Sequence, residues 1–280
     1  MIAKHDADLR ASINAIIDEL YFKTADETYI VARWCSIQGL STNFIWNAIH
    51  SLEKYIKAAL LINGESVKDL GHDIENAYAI LEDIAGDLLP DILPRPEEIE
   101  LDYWRDVSPT DFISRLNNNG GASVRYNEEG FVHNHLDLYL LDELVFQIRR
   151  LCVRLEMRPF KRVSPRTQRN FLKEQPDFSS LQSGRLDSLP RDKYASEELK
   201  QAAFNLNTRF SPDDFEHDGI HKGTRASNPA LGRYIVRYLK SSNPETRKLG
   251  KAVRDWYFDN NKVRREVKIE LSNIKAKNSK

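Results

Sequence analysis

Histidines beside carboxylates, and arginines beside aromatic rings, are the residues of this chain whose types and spacing could do chemistry. His133-Asn-His135-Leu-Asp137 sets two imidazoles at i, i+2 next to a carboxylate, which can begin a zinc site. The residue that follows, Leu138, is no ligand, and no second His/Asp cluster stands at suitable spacing, so a polar loop leading into a helix is the simpler reading. His217-Asp-Gly-Ile-His221 has the i, i+4 spacing of a metalloprotease helix. It lacks the Glu that acts as base, and Gly219 would cost such a helix about 1 kcal/mol. His50, near Trp46 and Lys54, reads as a structural histidine. No Gly-rich phosphate loop and no Ser elbow occur, and no metal or cofactor is expected. The remaining constellation is C-terminal. Arg233, Arg237 and Lys240 fall on one face of a helix and Arg247, Lys251 and Arg254 on one face of the next, with Tyr234, Tyr238, Trp256 and Tyr257 between them. Cations neutralise phosphates and exposed rings stack on unpaired bases, the combination that binds single strands. Basic rows also serve as solvated faces, and aromatics at helical spacing as core.

The elements that must position these groups are helical. Residues 6–22 place Leu9, Ile13, Ile16, Ile17 and Leu20 on one face. Thr24-Ala-Asp-Glu27 has the form of a capping box and predicts a new helix holding Trp34 and Cys35. Phe44, Ile45, Ala48, Ile49, Leu52, Tyr55, Ile56, Ala59 and Leu60 make a wide stripe at the 3.6-residue period, with Ser41 as expected cap and Asn63-Gly64 as stop. Gly71 and Asp73 announce a third helix, and Ser108-Pro109 opens a short one ended by Asn117 to Gly121. Val124 to Val132 is expected as a small hairpin turning at Asn127 to Gly130. A long helix near 134–157 keeps Leu138, Leu141, Leu144, Val145, Ile148, Leu151, Cys152 and Leu155 on its apolar side. Residues 158–193 are rich in Pro, Ser and basic side chains and read as an extended or partly ordered linker. Helices resume at about 195–207, with two more opened by Asn228-Pro229 and Asn243-Pro244. The expected division is a bundle over 1–157, the linker over 158–193 and a basic helical region over 194–280. Without sustained strand signals, the fold class is all-α.

The second helix also carries a resemblance. Ala48, Glu53, Lys54, Lys57, Ala58 and Leu60, followed by Gly64 and then His72-Asp73-Ile74, resemble the recurring pattern of the HEPN superfamily of small helical bundles over roughly residues 25–90. The resemblance implies an antiparallel HEPN-like bundle, here with a C-terminal helical extension, a homodimer, and a place for Glu53 and His72 in the family pattern. It also implies a test for activity. Many members are metal-independent ribonucleases using an Arg and a His four to six residues apart, since RNA supplies its own 2′-OH and needs only a base and a phosphate clamp. Here the nearest approaches are Arg125 to His133 and Arg209 to His217, each with seven residues between, so the catalytic pair is absent in its usual form. Arg149, Arg150 and Arg154 have no His within reach downstream. Arg125 and His133 could meet only if a hairpin folds them together.

Charge is unevenly spread. Residues 1–110 hold nine Lys or Arg against twenty Asp or Glu, a net of −11, whereas residues 222–280 hold sixteen against five, a net of +11. Such asymmetry points to an anionic partner for the basic end, or to attraction between the two ends. No apolar run is long enough for a membrane helix and the first residues lack a secretory h-region, so no membrane partner and a cytoplasmic location are expected. Cys35 and Cys152 fall inside apolar helical patterns and read as reduced, buried thiols. The leading expectation is a HEPN-like binder of RNA or nucleotide through Lys54, Lys57 and the basic C-terminal faces. The alternatives are a divergent metal-independent ribonuclease using Arg125 and His133, acting in toxin–antitoxin or phage-defence systems with a cognate protein partner, and a structural protein assembling through opposite charges.

Overall fold

The computed structural model describes residues 2–99, 101, 103–120, 131–158, 166–178, 184–219, 224–227, 230–261, 263 and 265–274. The fold is all-α, with one short strand pair. α1 (Ile2–Ile17) runs through a π-turn (Asp18–Phe22) into α2 (Lys23–Ile37) without a break. The expected capping box at Thr24 is therefore not a cap. Its hydroxyl donates to the carbonyls of Leu20 at 2.9 Å and Tyr21 at 3.1 Å, the bonds of a helix interior. α3 (Ser41–Ile62) follows after a short turn and so lies antiparallel to α2; its N-cap position is Leu40, and Ser41 is already helical.

α4 (Ile74–Ala85) is capped by Asp73, whose carboxylate accepts the Asn76 amide at 3.1 Å, and α5 (Pro109–Asn119) by Ser108, which accepts the Asp111 amide at 3.0 Å. Both starts match the sequence reading. α6 (Leu136–Arg149) is the centre of the bundle, and every one of its residues is buried. All eight apolar positions expected on its inner side, Leu138 to Leu155, are in the core, although the helix stops at Arg149 and the rest continues as turns. A helix buried all round is ordinarily apolar all round. α6 instead carries Asp137, Asp142, Glu143, Gln147 and Arg149 into the core, and each must find a partner there.

The chain forms two compact units, residues 1–120 with 134–223, and residues 121–133 with 224–280. The expected boundaries at 157 and 193 are not boundaries of these units, because the segments between them are held to the bundle. α7 (Gln168–Glu174) buries Leu172, and Arg169 donates to the carbonyls of Ile84 at 2.9 Å and Ala85 at 3.0 Å. α8 (Arg185–Ser188) buries Leu186, and α9 (Glu197–Phe204) buries Ala202, Ala203 and Phe204. Of the expected linker, residues 159–165 and 179–183 lie outside the described residues.

β1 (Phe131–Asn134), whose first three residues belong to the second unit, pairs with β2 (Thr224–Ser227). β1 thus has a distant partner, and the other flank of the expected hairpin lies outside the described residues. A π-turn (Gly232–Val236) leads into α10 (Arg237–Leu239), and α11 (Pro244–Asn260), capped by Asn243 as expected, is followed by α12 (Arg265–Ser272). Ile235, Leu239, Tyr257 and Leu271 form their core. Gly250 lets α11 approach α10 closely, since a Cβ there would stand 2.8 Å from the Tyr238 Cβ. Among the described residues no helix is long and apolar enough to cross a membrane.

Candidate functional site

The densest polar constellation is a seam between α2 and α6. α2 turns Asp26, Tyr29 and Arg33, at i, i+3 and i+7, toward Asp142 and Arg149 of α6, also seven apart. The helices cross antiparallel, so Asp26 meets Arg149 and Arg33 meets Asp142, two ion pairs of opposite sense. Arg149 grips Asp26 as a fork, Nε to Oδ1 at 3.0 Å and Nη2 to Oδ2 at 3.1 Å, and reaches Asp187 Oδ2 at 2.5 Å. Tyr55 donates to Asp26 Oδ1 at 2.5 Å and the Leu186 amide to Oδ2 at 2.9 Å. The rings of Phe22 and Phe210 stand 4.7 Å and 5.5 Å from the Arg149 guanidinium carbon. Arg33 binds Asp142 and the carbonyls of Ala202 and Asn205, while Tyr29 donates to Asp142 at 2.6 Å and accepts from Asn207 at 3.1 Å. Burial, reinforced by the adjoining aspartates, holds the Tyr29 and Tyr55 hydroxyls well above the usual phenol range, so both remain donors. This seam is sealed from solvent, and it fixes the bundle. Sequence reasoning passed over it because the signal, opposite charges repeated at core-facing positions of two helices, is visible only once the helices are paired.

The residues of the HEPN-like pattern lie on and beside α3 and bond to one another. Glu53 accepts from Lys57 at 2.6 Å and stands 3.1 Å from His72 Nδ1, and Lys57 also donates to the Gly71 carbonyl at 2.5 Å. Burial works to raise the Glu53 carboxyl, but Lys57 and His72 outweigh it and hold it below the usual range. Lys54 donates to Thr28 Oγ1 at 2.8 Å and the Thr24 carbonyl at 3.3 Å, and burial pulls its ammonium down. These two lysines tie α3 to α2 and to the α4 start, which leaves few donors for a phosphate. His50 packs edge-on to Trp46, ring centroids 3.9 Å apart, and burial lowers its pKa.

On the second unit the nominated cations divide. Arg233, Arg237 and Lys251 are exposed and have no ion-pair partner among the described residues. Arg247 instead donates to the carbonyls of Ser241 and Ser242 at 2.8 Å and 2.7 Å, and Arg254 to Asp255 at 2.7 Å. Tyr234 is 48% exposed and Trp256 62%, so neither is core, whereas Tyr257 is buried. Trp256 does not interleave with the basic row of its own helix. It stands roughly 140° around α11 from Lys251, at 100° per residue.

His133 is buried, with 3% of its surface exposed, and Arg125 lies outside the described residues. His217 Nδ1 accepts the Leu206 amide at 3.0 Å, and His221 also lies outside. Among the described residues no group of His, Cys, Asp and Glu has metal-binding geometry. Cys35 and Cys152 are buried thiols rather than disulfide partners, and burial raises both. One cleft in the bundle, about 400 Å³, holds Trp104, Arg105, Arg115, Asn134 and Asp137. Arg115 pairs with Asp137 at 2.7 Å; burial nonetheless pushes the Asp137 carboxyl up, against the pull of Arg115 and the Asn134 amide. No family model, curated protein or solved structure matches the chain.

Proposed function

We propose that this chain is an RNA-binding protein of HEPN-like build that grips single strands through its 224–280 unit. The supporting observation is the exposed Tyr234 ring, with the guanidinium carbon of the exposed Arg233 5.9 Å from the ring centroid and the exposed Arg237 three residues further along the chain. A ring on which a base can stack, with guanidiniums for adjoining phosphates, is the minimal single-strand platform. Lys240, Lys248 and Lys251 extend the charge outward on the same unit. Binding is favoured over cleavage because the buried His133 does not present its imidazole to a polymer. The resemblance adds a homodimer to this reading, and sedimentation tests it.

The experiment is a gel shift of labelled single-stranded RNA in EDTA at several salt concentrations, with a denaturing gel beside it. We expect a salt-sensitive shift with intact RNA. R233Q combined with R237Q should weaken it and flatten the plot of log K against log salt by about 1.4, two phosphate contacts at ~0.7 each. Unchanged affinity in that variant would remove the platform, and cleavage abolished by H133A would make the chain a ribonuclease.

A further inference from the structure

The bundle unit, which contains the acidic residues 1–110, also carries a second basic feature. Arg10 of α1 and Arg154 and Arg158 of the segment after α6 line one cleft of about 770 Å³ whose apolar surface comes from Ile13, Leu61 and Met157. The cleft is built firmly. Asn63 donates to the Leu151 carbonyl at 3.3 Å and the Val153 carbonyl at 3.0 Å and accepts the Leu155 amide at 2.9 Å, so the segment bearing Arg154 is pinned to the end of α3. Arg154 Nη2 is aimed by Asn14 Oδ1 at 3.3 Å. Glu156, the carboxylate in the wall, is engaged by Arg169 Nε at 2.7 Å. Among the described residues none of the three arginines has an ion-pair partner. Three like charges held on one cleft raise one another's energy until an anion enters, and guanidinium forks match phosphate geometry.

We infer that this cleft binds a small organic phosphate, its phosphate group gripped by Arg10, Arg154 and Arg158 and its apolar body resting on Ile13, Leu61 and Met157. The volume lies in the range of small-molecule sites, and the joint polar and apolar lining excludes an inorganic ion as the best fit. This site is separate from the RNA platform and stands or falls without it.

The test is fluorescence titration of the full chain with 4-methylumbelliferyl phosphate, with inorganic pyrophosphate as competitor. Saturable binding that pyrophosphate displaces is expected, weakened at least tenfold by R154Q and by R158Q and unchanged by R233Q. Arg158 and Arg10 are exposed, so R158Q and R10Q keep the fold and the result stays readable if R154Q does not. Absence of saturable binding up to millimolar probe would overturn the inference. So would equal affinity in R158Q and R10Q, or equally tight binding of 4-methylumbelliferone, which lacks the phosphate.

Discussion

Asp26 accepts four hydrogen bonds, from Arg149 twice, Tyr55 and the Leu186 amide, and no water reaches it. Removing one partner of such a pair strands the other charge in a low dielectric, at a cost of about 3–5 kcal/mol. Asp26→Ala should therefore lower the melting temperature sharply, and adding Arg149→Met should restore part of the loss. Gly184 is bound to the same contact, because a Cβ there would collide with the Asp26 carboxylate and stand 2.8 Å from both Arg149 and Phe22. Gly184→Ala is expected to destabilise by an amount like that of a core overpacking, about 1–3 kcal/mol, read by denaturant titration. Asp137 makes a different prediction. Its folded pKa is raised above the unfolded value, so its contribution to stability is full below about pH 3.9 and is lost as pH rises through the folded pKa. Asn cannot ionise, so the melting temperature of Asp137→Asn relative to the wild type should climb between pH 3.5 and 7; a flat difference would contradict the shift. None of these residues was nominated from sequence except Asp137. A buried Asp looks like any other Asp until its helix is known to be enclosed.

At the scale of elements, the α1–α2 rod shows what local patterns conceal. Ile17 and Phe22 are both buried, five residues apart, and that spacing fits the wider turn of a π-helix. Read at a period of 3.6, the same residues imply a break, and Thr24 to Glu27 then looks like a cap. The prediction is direct. Thr24→Ala should leave stability within about 0.5 kcal/mol, as expected for a back-bonded hydroxyl, rather than losing the ~1 kcal/mol of a true N-cap. Thermal melts decide between them. The stripe of α1 was legible as a stripe, but its fate was not: Leu9, Ile13, Ile16 and Leu20 are 53%, 43%, 57% and 61% exposed, and only Ile17 of that set is core. α3, α4, α5 and α11 were legible because each opens or ends on a capping or stop residue, whereas α6 was legible from its periodic apolar positions alone, and its end was accordingly set eight residues late. Caps with a fixed side-chain geometry, Asp73, Ser108 and Asn243, were read correctly.

For the whole molecule, the charge asymmetry of the sequence survives in part, since the excess of cations over residues 222–280 coincides closely with the 224–280 portion of the second unit. The boundary was misplaced because residues 194–219 read as the start of a basic region, while their carbonyls at Ala202 and Asn205 complete the shell of Arg33. A chain ending at residue 223 should accordingly melt cooperatively, close to the parent, whereas one ending at 193 should lose cooperative melting in calorimetry. The Arg33 shell has a further consequence, in time. Arg33 is buried against an aspartate 109 residues later and a carbonyl 172 residues later, and Asp26 against an amide 160 residues later. During synthesis at roughly 5–20 residues per second the early helices must wait about 5–35 seconds for those partners to be made. Until then α2 and α3 can pair only as a hydrated, open hairpin whose charged residues still face water. The bundle is thus a late-closing structure, whose core cannot be completed before residues near 205 have been made.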